Sequence, residues 1–255
     1  MQTPILITTW KRKEKVKNLL IAIKRNKPQK LYIACDGPRE NFKNEKLSVF
    51  QLRETIEKYI DWDCDVKKLY SEKNLGCRIA MTKAINWFFE NETEGIILEE
   101  DCIPDKDFIP FCTILLDKFR EDKKIWTISG TNHQDGIIRG NGSYYLSKYF
   151  HCWGWATWRN RWLNFDSEMN TWPEAKKLNI IETIFNDKKE SQYWEKIFSN
   201  LYRFKKPDSW AYRWLYTCLI NNGYTIIPNQ NLIKNIGYGE SSTHTNYIIN
   251  SFDKK

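Results

Sequence analysis

The sequence lacks the features that mark exported, membrane-spanning and zinc-ribbon proteins. No apolar run approaches the ~20 residues that a membrane-spanning helix needs. The opening residues, MQTPILIT, enter a strand-like run without the charged and apolar regions of a signal peptide. The 7 cysteines are odd in number and form no CxxC pair, which disfavours a zinc ribbon and a disulfide framework. We therefore expect a cytoplasmic protein with reduced thiols.

Glycine-rich phosphate loops are missing as well. No GxGxxG follows the first predicted strand, and GxxxxGK[ST] occurs nowhere in the chain. These absences disfavour a dinucleotide-binding Rossmann motif and a P-loop. A nucleotide bound by this chain would need another partner for its phosphates, such as a metal ion.

Positive charge is in excess, with a formal net charge of +8 at neutral pH. Such an excess favours an anionic partner, whether nucleic acid, a membrane surface or a phosphorylated small molecule. The basic residues are scattered without a long basic tract, as on a solvated surface. No aromatic RNP-like strand motif occurs, so we expect no nucleic-acid partner. Peripheral association with the inner face of a membrane is compatible with the charge.

Hydrophobic periodicity predicts an α/β protein. Strands are predicted at 4–9, 31–34, 65–70, 95–98, 125–129 and 225–228. Helices are predicted at 11–25, 47–59, 79–90, 108–120, 180–204 and 209–222. Strands and helices that alternate at this spacing indicate a mostly parallel, doubly wound sheet flanked by helices. We assign the whole chain, 1–255, to one domain.

The most informative stretch follows the fourth predicted strand. The apolar run that starts at Gly95 ends in Glu99, Glu100 and Asp101, three consecutive carboxylates. Ligands of open α/β sheets bind at the carboxyl ends of the strands, and adjacent carboxylates there call for a cation. A hard divalent metal that carries a substrate diphosphate fits this chemistry. The alternative is an ordinary solvated junction between a strand and a loop.

Polar residues also follow the other predicted strands of the first half. Because the carboxyl ends of parallel strands meet at one edge of a sheet, these residues are expected to converge with the acidic triplet. The candidates for binding a phosphorylated ligand are Thr8, Thr9, Lys11, Arg12, Asp36, Asn74 and Arg78. The guanidinium of Arg78 matches phosphate oxygens, but it would equally pair with a nearby acid. Asp36, followed by Gly37, is also ordinary turn chemistry.

Asp208 is the candidate general base. It stands in the segment Pro207-Asp208-Ser209-Trp210, which opens an apolar helix. Transfer of a group to a hydroxyl needs a carboxylate near the attacking oxygen, separate from the carboxylates that bind a metal. The alternative is a helix N-cap.

Aromatic residues and two histidines supply the remaining candidates. The 12 tryptophans are concentrated in the second half, where they either stack on sugars or fill a core. The candidates for lining an acceptor pocket are His151, Trp153, Trp155 and Trp210. His244 stands in a polar tail, from which it would contact a metal or a phosphate, or remain solvated.

Taken together, these motifs resemble nucleotide-sugar-dependent glycosyltransferases of the GT-A fold, in particular bacterial family-2-like enzymes related to N-acetylglucosaminyltransferase I. Residues 99–108, EEDCIPDKDF, resemble the family's form of the DxD motif. The resemblance implies Mn²⁺ (or Mg²⁺) bound by Asp101, with Glu100 near the metal or the ribose and Glu99 near the reacting sugar. Asp36 occupies the place of a uracil contact, and the tail that ends at His244 occupies the place of a closing loop.

The same resemblance assigns the catalytic base to Asp208 and an acceptor-side segment to 153–156, WGWA. Two departures from the family pattern bear on these roles. The central acid of the triplet is Glu100 rather than Asp, and only one Asp stands where the family can show two. The residue range that matches is 4–246.

The resemblance implies a GT-A fold with a nucleotide-sugar-binding half, 1–130, and an acceptor-binding half, 131–255. The expected activity is that of an inverting hexosyl- or N-acetylhexosaminyltransferase that moves a sugar, most simply from a UDP-sugar, to a hydroxyl. The acceptor would be a glycan, a lipid-linked sugar or another glycoconjugate, as in bacterial polysaccharide biosynthesis. Two alternatives stay open, a sugar-phosphate nucleotidyltransferase and a non-catalytic glycan-binding protein. The first would have a glycine-rich basic loop after the first strand, and residues 9–13 are basic but lack glycine.

Overall fold

The computed structural model describes residues 3–237. The strands are β1 (Ile5–Thr9), β2 (Lys30–Cys35), β3 (Asp65–Tyr70), β4 (Glu94–Glu99), β5 (Cys102–Pro104), β6 (Ile125–Ser129), β7 (Tyr144–Ser147), β8 (Trp155–Trp158), β9 (Tyr224–Pro228) and β10 (Ile233–Asn235). The helices are α1 (Lys13–Lys24), α2 (Lys43–Tyr59), α3 (Cys77–Asn91), α4 (Phe108–Lys118), α5 (Arg159–Trp162), α6 (Trp172–Lys177), α7 (Ile180–Ile184), α8 (Lys188–Phe204) and α9 (Trp210–Ile220).

An eight-stranded sheet forms the centre of the protein, with the strand order β3-β2-β1-β4-β8-β6-β9-β7. The first four strands in this order are parallel to one another, as in the register that places Ile5 opposite both Leu31 and Ile96. Residues of β1 and β2 are almost entirely buried, which explains why these strands are continuous apolar runs. The predicted fold class, a mostly parallel GT-A-like sheet flanked by helices, is confirmed.

Helices cover both faces of the sheet. Because side chains alternate along a strand, Ile5 and Ile7 pack on one side with α1, α2 and α4, while Leu6 packs on the other with α3, α8 and α9. The apolar stripe of α1, which includes Val16 and Leu20, is buried as its helical spacing predicts. Within residues 3–237, no helix combines the length and the apolar character needed to cross a bilayer.

The second half departs from the simple alternation of strands and helices. Strand β8 was not predicted; it lies between β4 and β6 and runs antiparallel to both. Its tryptophans are buried, so this part of the aromatic run is a central strand. The prediction that 180–204 is largely helical is confirmed, and the stretch divides into α7 and α8. Asp187 caps α8 by accepting a hydrogen bond of 2.9 Å from the backbone N–H of Glu190.

A small second sheet completes the edge where β4 ends. Strand β10 pairs antiparallel with β5, so that Asn235 lies opposite Cys102. Directly after β10, the N–H of Ile236 donates to the carbonyl of Asp101 at 2.8 Å. The last described residues are thereby fixed beside the acidic triplet.

Candidate active site

A cavity of about 380 Å³ opens where β1, β2 and β4 end. Its walls bring together residues from each of the predicted strand-end motifs. The polar and charged residues that line it are Thr8, Thr9, Arg12, Asp36, Arg39, Ser71, Asn74, Lys83, Glu99, Glu100, Asp101 and Asn235. The convergence expected from parallel strands is therefore present in the structure.

Arg12 binds two of the three consecutive acids. Its Nε donates to the Glu100 carboxylate, and its Nη2 lies 3.1 Å from Oδ2 of Asp101. Glu100 is buried and also accepts a hydrogen bond of 2.8 Å from the backbone N–H of Trp10. Burial opposes ionisation of Arg12, but the two carboxylates outweigh it and raise the pKa of the guanidinium. Glu100 thus ties the loop after β1 to the end of β4.

Glu99 lines the same cavity, but its carboxylate is not paired with Arg12 as those of Glu100 and Asp101 are. Its carboxylate forms no hydrogen bond or ion pair within residues 3–237. Desolvation, reinforced by the nearby charge of Asp101, raises the pKa of Glu99 to about 8. A cation placed between Glu99 and Asp101 would relieve this repulsion.

The carboxylate of Asp36 links the loop after β2 to the loop after β3. Its two carboxylate oxygens accept from the backbone N–H groups of Gly37, Leu75 and Gly76 and from Nδ2 of Asn74, at 2.8–3.2 Å. Burial raises the pKa of Asp36, and these donors partly offset the rise. Both oxygens are therefore engaged by the protein, and contact between this carboxylate and a base stays a prediction.

The other residues predicted from the first strand make protein contacts too. The hydroxyls of Thr8 and Thr9 donate to the carbonyls of Leu98 and Ala34, at 3.4 and 3.1 Å. Lys11 lies outside the cavity wall, and its Nζ pairs with Glu45 at 2.7 Å. Thr8 and Thr9 position the cavity floor, and Lys11 stabilises the neighbouring helix α2.

Asp208 lies at the end of the connection between α8 and α9, with its side chain 61% exposed. Nε of Arg78 donates to Oδ1 of Asp208 at 2.6 Å, and Nη1 of Arg78 donates to Glu168 at 3.3 Å. The N-cap of α9 is Ser209, whose hydroxyl accepts from the N–H of Tyr212. The N-cap alternative for Asp208 is therefore wrong, and the alternative that Arg78 pairs with acids is correct in this structure.

A second concavity, of about 650 Å³, extends along the outer face of α3. We call it the α3 groove; it is lined by Leu69, Arg78, Ile79, Thr82, Lys83, Asn86, Trp87, Glu90, Ser167 and Glu168. Leu69 and Lys83 line the cavity as well, so the two spaces are neighbours. Because Arg78 in its wall reaches Asp208, the groove also borders the candidate base.

The four predicted acceptor residues do not form one pocket. Trp153 lines the cavity, and His151 lies 5.0 Å from His133 between ring centroids. Burial, together with His133, lowers the pKa of His151 to about 4, which keeps its imidazole neutral near neutral pH. Trp155 and Trp210 are 0% and 3% exposed and stack on each other in the core. These two rings are packing residues here, because buried rings offer no face to a ligand.

The donor set of the cavity fits a divalent metal. Within residues 3–237, no group of three or more His, Cys, Asp or Glu side chains is arranged so that it could hold a metal ion by itself, and His244 lies outside the described residues. Asp101 and Glu99 nevertheless supply two carboxylates, and a metal that also carries substrate phosphates needs only one or two from the protein. A Cβ on Gly237 would lie 2.3 Å from Oδ2 of Asp101, so any larger residue at this position would crowd the oxygen that Arg12 already contacts.

Several cavity residues were not predicted from the sequence. Arg39 lies with its guanidinium 3.8 Å from the ring centroid of Phe42 and donates to Glu45. Lys83 enters the cavity from the solvent side of α3. Arg39 lies three residues after Asp36, so its place near the predicted strand-end turn could have identified it from the sequence. Lys83 lies inside helix α3, where the sequence pattern does not indicate a ligand contact.

Comparisons with known proteins show the fold. No protein-family model matches the chain, and no curated protein matches its sequence. A solved structure of GalNAc-T7 with UDP, GalNAc and Mn²⁺ matches 98% of this chain and 46% of its own, with a TM-score of 0.51 and 12% identity. At this identity the likeness shows a shared fold, and the chain spans about half the length of that protein.

Two weaker likenesses involve nucleotidyltransferases. A cytidylyltransferase from Leptospira borgpetersenii serovar Hardjo-bovis matches 66% of this chain and 64% of its own, at 15% identity and a TM-score of 0.40. An apo UDP-glucose pyrophosphorylase matches 90% and 92%, at 10% identity and a TM-score of 0.42. Both scores are below 0.5, so neither carries a conclusion about this chain. The fold assignment, a mostly parallel α/β sheet of GT-A type, therefore depends on the sheet topology and on the likeness to the GalNAc-T7 structure.

Proposed function

We propose that the protein is a metal-dependent glycosyltransferase that moves a sugar from a nucleotide-sugar, a UDP-sugar in the simplest case, to a hydroxyl of a glycan, lipid-linked or glycoconjugate acceptor. One observation carries the proposal. Glu99 and Asp101 face a cavity at the carboxyl ends of parallel strands, while a separate carboxylate, Asp208, pairs with Arg78 in the wall of the neighbouring α3 groove. Metal binding and general-base catalysis need carboxylates that are separated in this way.

The cavity has the charge balance that a nucleoside diphosphate needs. Arg12, Arg39 and Lys83 line it together with the three acids. A diphosphate would bind these cations, because guanidinium and ammonium groups match phosphate oxygens. Asp101 and Glu99 would hold the metal, which would neutralise charge on the leaving diphosphate.

Asp208 would remove the proton from the acceptor hydroxyl as its oxygen attacks the anomeric carbon. Direct displacement of this kind inverts the anomeric centre. Arg78, which follows Cys77 of the cavity wall and pairs with Asp208, would then turn to hold the diphosphate. His244, outside the described residues, stays a candidate for contact with the metal or the diphosphate.

The α3 groove is the best place for the acceptor. It borders the cavity at Lys83 and the base at Arg78. Trp87 offers an aromatic ring beside Asn86. Oδ1 of Asn86 accepts from Nε1 of Trp162 at 2.8 Å, which fixes the side chain and leaves its amide N–H₂ for a ligand. Aromatic rings and fixed polar groups are what polyhydroxylated sugars bind.

The test is a screen of UDP-, GDP- and CMP-sugars for nucleotide release, with and without Mn²⁺. We expect release from one donor class that depends on the metal. Asp101→Asn should lower it by roughly 10²-fold or more, and Asp107→Asn, an exposed Asp six residues on, should have no effect. If no donor releases nucleotide, the proposed glycosyltransferase activity is refuted. If the protein instead forms a nucleotide-sugar from a sugar 1-phosphate and a nucleoside triphosphate, it is a nucleotidyltransferase.

Asp208→Asn tests the base separately. With a donor and an acceptor in hand, we expect the transfer rate to fall by about 10²–10⁴-fold while the affinity for UDP stays unchanged. Transfer at near wild-type rate would remove Asp208 from the mechanism and leave the metal-dependent donor site intact.

A further inference from the structure

Arg213 is a buried cation for which the proposed reaction has no use so far. It lies in α9 with 0% exposure, in a helix that also carries the buried Trp210 and Trp214. Nη1 donates to the carbonyl of Ser209 at 2.7 Å, whereas Nε and Nη2 have no hydrogen-bond partner within residues 3–237. A buried charge with unpaired donors destabilises the folded state, so a residue of this kind needs an explanation.

A second buried arginine shows what a purely structural one looks like. Arg161 is 4% exposed, and its guanidinium donates to the carbonyls of Arg120 and Asp122 at 2.8 and 2.9 Å, and also to that of Ile125. Its donors are thus largely satisfied by the main chain around it. Arg213 has only the Ser209 carbonyl, so local packing alone does not account for its charge.

The surroundings of Arg213 point to Asp208. The single bond that it makes holds the residue directly after Asp208, at the first turn of α9. Burial lowers the pKa of Arg213, the charge of Arg78 lowers it further, and Asp208 and Glu168 oppose the fall. Asp208 itself lies on an exposed connection, where Arg78 is its only direct ion-pair partner in the described chain.

We propose that Arg213 is a positioning residue for Asp208: from the core, its guanidinium holds the main chain at Ser209, the residue directly after Asp208. The inference rests on the proposed function, in which Arg78 turns towards the donor diphosphate. Arg213, which cannot leave the core, then remains to hold the main chain that orients Asp208. A neutral side chain of similar length would fill the same space without this effect.

Stability provides a test that needs no substrate. Thermal unfolding is measured for the wild type, Arg213→Met, Asp208→Asn and the double variant. We expect Asp208→Asn to lower Tm in the wild-type background and to have less effect in the Arg213→Met background, with a non-additivity of about 2 °C or more. In the control cycle with Arg161→Met, which lowers Tm by itself, the effects should add. Additive effects in both cycles would overturn the proposal, and Arg213→Lys replaces Arg213→Met if the latter does not fold.

Kinetics separates positioning from folding. For a donor and acceptor pair, Arg213→Met should lower kcat roughly 10-fold or more with the donor KM unchanged, and Arg213→Lys should recover part of the loss. If kcat of Arg213→Met falls only in proportion to the fraction of folded protein, as expected for Arg161→Met, a positioning role is contradicted. If the wild type turns over no donor, the proposed function fails, but the stability cycle still decides the Asp208–Arg213 coupling.

Discussion

Three consecutive carboxylates at the end of β4 have three different surroundings. Glu100 is buried and bonded by Trp10 and Arg12, Asp101 shares Arg12 at the cavity wall, and Glu99 faces the cavity without a partner in the described chain. The chain turns sharply after β4, so successive side chains are aimed in different directions. Asp101 and Glu99 are therefore the proposed metal ligands. Glu100 instead links the loop after β1 to the end of β4.

A second buried carboxylate, Glu45, makes a pH-dependent contribution to stability. Hydrogen bonds from Arg39, and then from Lys11, lower its pKa to about 2. Because the folded state favours the ionised form, the contribution is complete above the ordinary pKa of about 4.5 and is lost as the pH falls towards 2.

Glu45→Gln should therefore lower Tm at pH 7 by roughly 3–8 °C, and the difference from wild type should narrow between pH 4.5 and 2. Differential scanning calorimetry over this range is the measurement. Glu14→Gln, in an exposed pair with Lys17 at 3.9 Å, is the matched control and should change Tm little at any pH. An equal deficit for Glu45→Gln at pH 2.5 and pH 7 would show that the loss is one of packing.

At the scale of elements, the pairing of β5 with β10 decides the shape of the cavity wall where the proposed metal would bind. It brings Gly237 so close to Asp101 that any larger residue must displace the carboxylate or the backbone. The Trp-rich β8 plays a comparable part in the core, where it joins the first four strands to the second half of the sheet.

Gly237→Ala should weaken metal binding more than it weakens folding. We expect the Mn²⁺ concentration for half-maximal activity, or for half-maximal Tm shift with UDP, to rise by about tenfold, which corresponds to ~1.4 kcal/mol. Gly142→Ala is the control, since a Cβ there has no neighbour nearer than 3.5 Å. Unchanged metal dependence in Gly237→Ala would argue against Asp101 as a ligand.

At the scale of the whole molecule, the cavity is closed by β1, β2, β4 and the end of β10, so a ligand there bridges segments distant in sequence. UDP with Mn²⁺ should bind only the folded protein and stabilise it by about 2.7 kcal/mol at 100 times Kd. The expected rise in Tm is roughly 5–10 °C. EDTA should remove most of it, and a shift that CMP produces equally without metal would speak against the proposed donor site.

Local patterning determined most of the elements in the first half. The buried strand Ile5–Thr9 and the more exposed edge strand Asp65–Tyr70 agree with the predicted ranges 4–9 and 65–70. Apolar runs, polar turns and helical stripes are properties of short segments, so they can be identified from the sequence alone. The same patterning placed candidate site residues at strand ends, and parallel topology alone is enough to bring those ends together.

The elements of the second half were harder to predict from the sequence, because their structure depends on contacts between distant segments. The aromatic run over 153–158 is compatible with a binding surface and with a buried strand, and only its partners in the sheet decide between them. The split of 180–204 into α7 and α8 likewise depends on packing that no short window contains.

By itself, the sequence determined the α/β class, the parallel first half and the chemical types gathered at its edge, since each follows from neighbours along the chain. The tertiary structure decided which acid meets Arg12, which carboxylate pairs with Arg78, that Trp155 is core, and that Arg213 lies buried beside the connection that carries Asp208. These outcomes depend on contacts between residues far apart in sequence, whose distances and burial exist only once the chain has folded.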